Sequence, residues 1–424
     1  MKYTTRRKAM FCVLSLGYML VFLHGVIMTV FAKELMRDMR LSPAGMGMLG
    51  SSYLYAYAAM MLVSGLVAVW AGPRATLSIL FATSGLGGLV FAFSDTLWVA
   101  MLGRALSGLG MAATMTSSFT LFARWYAPDA YSRICSYFFA MGGMGLLLGI
   151  SLAPVLNAAV GWRMVFGGIA VLTLVYATLI LILVRDWPPS DADITSASRR
   201  ITRGDTTVAS MWYGIREMAK SGDFWRIAIW FGSLPGIYFA FNGLWAIPYF
   251  KDVYGISDAE AGLMVSLGGI GFTLGSPFAS WLTDRVWKSY RISIAGSAVF
   301  STLSVAYLLL RIDTMGKVAL YVLLIAFGMF LNSTNACAHA SSRSLFGSRM
   351  AGITGGAYGC SAFLGGALAQ VICGELLTYA QNRQWDAAES YLLAFTPLIV
   401  FGLVGIWVSC TLSSKADAEL RCGK

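Results

Sequence analysis

Charge is what this sequence has least of. Only 12% of its 424 residues are Asp, Glu, Lys or Arg, about half the share in a soluble globular chain. Hydrophobic residues make up 58%. That much apolar surface exceeds what a water-facing fold can hide, which excludes an ordinary soluble domain and turns the surplus towards lipid. Histidine is scarcer still, with only His24 and His339. Two distant histidines cannot build a metal cluster, and the seven cysteines contain no Cys-x-x-Cys pair, so zinc and dithiol redox sites are excluded. The cysteines read as small apolar packing residues. No glycine loop of the phosphate-binding kind is present, and no nucleophile–base pair stands out. The chain reads as no enzyme, with no cofactor and no metal.

What the sequence has instead is long apolar runs. Twelve of them approach the ~20 residues that cross a bilayer: 10–32, 44–69, 75–94, 97–122, 134–158 and 163–184, then 226–248, 260–283, 292–311, 317–340, 351–378 and 391–412. The basic N-terminus precedes an apolar run longer than a signal-peptide core, and Val26-Ile27-Met28-Thr29 offers no convincing cleavage site, so that run reads as a retained span. Residues 185–225 are polar, with Pro188-Pro189 and Arg199-Arg200, and read as a linker, with an amphipathic helix expected near Val208 to Lys220. The expected fold is therefore an all-α membrane protein. Its twelve transmembrane helices form two pseudo-symmetric six-helix bundles, 1–184 and 226–412, joined by a cytoplasmic linker and followed by a tail at 413–424.

The net charge of +11 does not point to nucleic acid, because the basic residues are scattered through short loops. Most lie on the side shared by both termini, which places both in the cytoplasm and fits a cell inner membrane.

One passage occurs twice. Leu41-Ser42-Pro43-Ala44-Gly45-Met46-Gly47 leads into the second run, and Ile256-Ser257-Asp258-Ala259-Glu260-Ala261-Gly262 leads into the eighth. Ser42/Ser257, Ala44/Ala259, Gly47/Gly262 and Ser51/Ser266 are identical pairs. Two related halves of a membrane protein commonly hold a ligand between them. Small residues also recur four apart, as in Gly145/Gly149, Gly271/Gly275, Gly352/Gly356 and Gly355/Gly359. Such pairs serve either static helix packing or smooth surfaces on which halves rock.

These features resemble the major facilitator superfamily over nearly the whole chain. Arg104-Ala105-Leu106-Ser107-Gly108-Leu109-Gly110 matches its R-x-x-x-G-x-G motif in span 4, and Gly161-Trp162-Arg163 resembles the opening of span 6. The loop motif G-x-x-x-D-R-x-G-R-R is only partly kept at Gly65 to Arg74, where Val69 and Trp70 replace the Asp-Arg pair. The second half retains the pair as Asp284-Arg285. Tyr53 to Ala58 and Asn242 to Gly255 are similar to sugar-phosphate and organic-anion permeases. Many of those carry an Arg after the His of span 1; here Gly25 follows His24.

Polar side chains at membrane depth need a reason. Arg104 is either an anion partner or a structural cation held by backbone carbonyls. Asn332, Asn335 and His339 share one helix face, towards a ligand or a neighbouring helix. Tyr238 and Asn242 offer a neutral recognition face, with Trp230 and Trp245 read as interfacial anchors. Tyr358 is a further aromatic candidate, and His24 is either a proton carrier or a core histidine. His24, Arg104, Asn242, Asn332, Asn335, Tyr238 and Tyr358 are thus the candidate substrate contacts. His24, Asp284, Arg285 and Glu375 are the candidates for coupling and gating, Glu375 being taken as an interior acid. The expected function is secondary active transport of a small polar metabolite, an organic acid or anion, by alternating access. A proton or counter-anion would couple it, and the protein would be a monomer in the lipid bilayer. A multidrug or amphiphile exporter and a transporter-like sensor are the competing readings.

Overall fold

The computed structural model describes residues 3–126, 128–188, 216–333, 335–346 and 351–413. Helix is the regular structure of the described residues, with no strand among them. The first half runs α1 (Tyr3–Asp38), α2 (Pro43–Ala71), α3 (Pro73–Ala92), α4 (Leu97–Met111), α5 (Thr114–Trp125) and α6 (Pro128–Leu183). The second runs α7 (Gly222–Ala240), α8 (Ala246–Tyr254), α9 (Asp258–Leu282), α10 (Tyr290–Leu310), α11 (Lys317–Ser333), α12 (Asn335–Phe346), α13 (Ala351–Asn382) and α14 (Ala387–Thr411). Among the described residues, nine helical stretches are long and apolar enough to cross a membrane, besides the shorter apolar helix Lys317–Leu331. Helix α6 is one 56-residue run interrupted at Gly161, whose φ of 76° breaks it between the runs read as 134–158 and 163–184. Most of the linker, 189–215, lies outside the described residues, including most of the expected amphipathic helix.

The doubled passage builds the same structure twice. Ser42 caps α2 by accepting the N–H of Gly45 at 3.2 Å, and Ser257 accepts that of Glu260 at 3.4 Å. An N-cap oxygen satisfies a donor that the first turn leaves unpaired. Five residues past each serine, a glycine meets the opposite half. A Cβ on Gly47 of α2 would stand 2.7 Å from the carbonyl oxygen of Gln370 in α13, and one on Gly262 of α9 would stand 3.5 Å from that of Ile150 in α6. The repeat is thus the mating surface of the halves, tight on the α2–α13 side and looser on the α9–α6 side. Of the glycine pairs spaced by four, Gly145 faces Met19 and Gly271 faces Ile325, both within their own half, while Gly359 meets Met61 across the halves.

Corners at the opposite ends of these helices also repeat. Arg74, opening α3, donates to the carbonyl of Leu181 in α6, and Arg291, opening α10, donates to that of Cys410 in α14. Where the first half lacks the motif acid at Val69, a distant one stands in: Asp186 accepts the backbone N–H of Arg74 at 2.9 Å, at the N-terminus where a carboxylate is favoured. Trp125 donates to the carbonyl of Arg185 and Arg124 stacks on Trp187, pinning the segment that carries Asp186.

Candidate substrate site

Arg104 owes its place to the glycines after it. A Cβ on Gly108, one turn on, would lie 2.1 Å from the carbonyl oxygen of Tyr53, so only glycine lets α4 seat this closely on α2. That contact brings the Arg104 guanidinium over the Tyr53 ring, 4.6 Å from its centroid. The guanidinium also donates to the backbone carbonyl of His24 at 3.3 Å. It is 2% exposed, and its Nε has no hydrogen-bond partner. No carboxylate among the described residues pairs with it. A buried cation without a counter-charge is costly, and an anion is what would relieve it. The Tyr53 hydroxyl is likewise buried without a partner, beside Tyr57, whose ring meets that of Phe363 of the other half at a tilt, centroids 4.3 Å apart.

His24 is committed elsewhere. Its Nε2 lies 3.1 Å from the hydroxyl of Thr173 in α6, and that hydroxyl already donates to Ile169 at 2.8 Å. Nε2 is therefore the donor, and His24 ties α1 to α6.

Asn242 sits in the π-helical turn Phe241–Trp245 between α7 and α8. Such turns expose backbone and recur at functional positions. Asn242 is buried beside Tyr238 and lies over Gly268, whose missing Cβ makes its room. Tyr358 is buried away from Arg104, its ring stacked on Phe231 at 5.2 Å and its hydroxyl 3.2 Å from that of Ser342. The side chains of Asn332, Asn335 and Asp284 lie outside the described part of the structure. His339 is exposed, with its ring near that of Phe231. Arg285 is exposed in a second π turn, Thr283–Trp287. Glu375 is exposed rather than interior: its neighbour Gly374 faces Pro43 across the halves, which turns position 375 outwards. Trp230 and Trp245 are not interfacial anchors either. Both are at most 1% exposed, and Trp245 donates to the carbonyl of Gln370 at 3.2 Å.

The sequence missed the residues that join the halves at one end. Gln370 donates through Nε2 to Phe239 at 3.0 Å and packs on Gly47 and Gly50 of α2. The hydroxyl of Thr29 in α1 donates to the carbonyl of Leu244 at 3.1 Å. Lys33 pairs with Asp252, and Lys251 lies 3.7 Å from Glu34. Only the unusual depth of Gln370 in an apolar run could have signalled it. Towards the other end, Tyr137 of α6 and Leu274 and Trp281 of α9 are exposed.

The sequence profile of the Major Facilitator Superfamily matches residues 11–370. The chain belongs to that superfamily. It is a multi-pass membrane transporter and not an enzyme. Among relatives of this superfamily member, the probable sulfoacetate transporter of Cupriavidus necator is 23% identical over 419 residues, covering 94% of this chain and 92% of its own length. The probable hexose phosphate transport protein of Chlamydia trachomatis is 22% identical, covering 96% of this chain and 92% of its own. The fold matches a bacterial homologue of the human lysosomal transporter Spinster, solved inward-facing and unoccupied, with a TM-score of 0.77 at 14% identity over 98% of both chains. It also matches the nucleoside transporter NupG, with a TM-score of 0.73 at 15% identity over 94% of this chain and 98% of that one.

Proposed function

We propose that this transporter carries a small organic anion across the inner membrane by alternating access, with Arg104 as the group that receives the charge. The buried, uncompensated guanidinium of Arg104 carries the reading. A planar fork with a free Nε suits a carboxylate, sulfonate or phosphate oxygen, and the Tyr53 hydroxyl beside it can donate a second bond. Relatives named for sulfoacetate and hexose phosphate, both anionic, support the same class. With Gly25 in place of a second span-1 cation, the site favours one strongly held anionic group over a dianion clamp.

The architecture we infer is twelve spans in two six-helix bundles. Helices α4 and α5 make one span, α6 two, α7 and α8 one, and α11 and α12 one. The Lys and Arg asymmetry of the loops puts both termini in the cytoplasm. The joined end, near Lys33 and Asp252, is then the outer face.

Purified protein should be screened by thermal shift against sulfoacetate, a hexose phosphate, a nucleoside and a cationic amphiphile, then assayed for uptake in proteoliposomes. Stabilisation by an anion, lost in Arg104→Gln, is the expected result. Stabilisation by the amphiphile alone would replace this reading with efflux, and binding without uptake would replace it with a sensor.

A further inference from the structure

Near its C-terminal end each of the helices α1 and α8 carries a basic residue followed by an acidic one: Lys33-Glu34 and Lys251-Asp252. The two dipeptides face each other across the halves and exchange charges. Lys33 pairs with Asp252, and Lys251 approaches Glu34 at 3.7 Å. A rotation that swaps the halves turns one pair into the other, as in an isologous interface. The network is anchored on the second half, where the hydroxyl of Tyr391 donates to Asp252 at 2.9 Å and Asp258 pairs with Lys251. On the first half, Glu34 keeps one buried carboxylate oxygen with no hydrogen-bond partner.

We propose that Lys33-Glu34 and Lys251-Asp252 form a reciprocal charge latch that closes this end of the transporter and sets the balance between its two access states. The inference rests on the alternating-access reading above. Its degree of burial suits a latch rather than a weld. The side chains of Glu34 and Lys251 are 16% and 18% exposed, and those of Lys33 and Asp252 are each 32% exposed. Fully buried ions would be too costly to separate, and fully exposed ones would hold nothing. At intermediate burial the four groups rehydrate when the end opens and repair when it closes. The crossed arrangement also fixes register, since a slip of the halves would bring Lys33 towards Lys251. The contacts beneath, Gly47 on Gln370 and the Ala44 N–H on Thr378 Oγ1 at 2.8 Å, are short-range and act only once the ends have met. The charges act over a longer distance.

The test is a pair of distance measurements on full-length protein freed of native cysteines. Spin labels at Arg40 and Gln381 report the latched end, and labels at Tyr137 and Trp281 report the opposite end. Lys33→Asp or Asp252→Lys alone should raise the ratio of long to short distances at the latched end about fivefold. The exchanged double variant, Lys33→Asp with Asp252→Lys, should restore the short distance. That rescue separates the latch from misfolding. Unchanged distances in both single variants, or an exchange that fails to restore, would overturn the latch. Failure of the alternating-access reading looks different: the latched end lengthens while the opposite end does not shorten.

Discussion

Thr29 donates a hydrogen bond to the carbonyl oxygen of Leu244, 3.1 Å away and in the other half of the molecule. That carbonyl is available because the residue four positions on is Pro248, which has no N–H to offer. A vacancy in one half's helix is filled by the other half's hydroxyl. Thr29→Val keeps the shape and removes the donor, leaving a buried acceptor unsatisfied. We expect a loss of about 1–2 kcal/mol in stability, read as a lower melting temperature of the purified protein. Thr29→Ser should melt close to wild type. Equal melting of the Val variant would mean that the carbonyl does not need Thr29.

Gly47→Ala and Gly262→Ala should differ although the positions are equivalent. The first Cβ would lie 2.7 Å from the backbone oxygen of Gln370; the second has 3.3 Å to a movable methyl of Ile150 and 3.5 Å to its oxygen. Gly47→Ala should therefore force α2 and α13 apart, while Gly262→Ala is accommodated. The label pair at Arg40 and Gln381 would read this directly, lengthening in the first variant and unchanged in the second.

Arg104→Lys keeps the charge but loses the planar fork. We expect binding of the anion found in the thermal-shift screen to weaken roughly 10- to 100-fold, the worth of one charge-assisted hydrogen bond. Arg104→Gln should abolish it. Retention of wild-type affinity by the Gln variant would remove Arg104 from the site.

Asp186→Ala should cost about 1 kcal/mol, the usual value of a lost helix cap, without changing substrate affinity. Asp186→Asn, which still accepts from the Arg74 N–H, should recover most of the loss. Thermal unfolding with and without ligand separates the two quantities.

The apolar runs read from the sequence fall on helices because lipid imposes one rule on every residue of a span. The Gly161 break was legible as the boundary between two runs for the same reason. Arg104 could be found because a charge inside a span advertises its cost. Lys33 and Asp252 could not: at the end of a span each looks like an ordinary loop charge, and their pairing is made by the fold across 219 positions. Trp245 misled because indole suits both a membrane interface and a buried hydrogen bond, and only the approach of Gln370 decides. Asp186 looked like linker because its partner, the Arg74 backbone N–H, carries no sequence signature.

Helix α6 has two arms meeting at Gly161. The first carries Leu146 and Ile150, which rest on Gly269 and Gly262 of the opposite half. The second carries Thr173, which holds His24, whose carbonyl holds Arg104. If the halves part as proposed, a tilt of the first arm must either be absorbed as bending at Gly161 or be carried into the second arm. Nothing packs where a Cβ on Gly161 would stand, so no side chain braces the elbow. How stiff that single unbraced residue is decides whether α6 works as a lever moving the site or as a hinge isolating it.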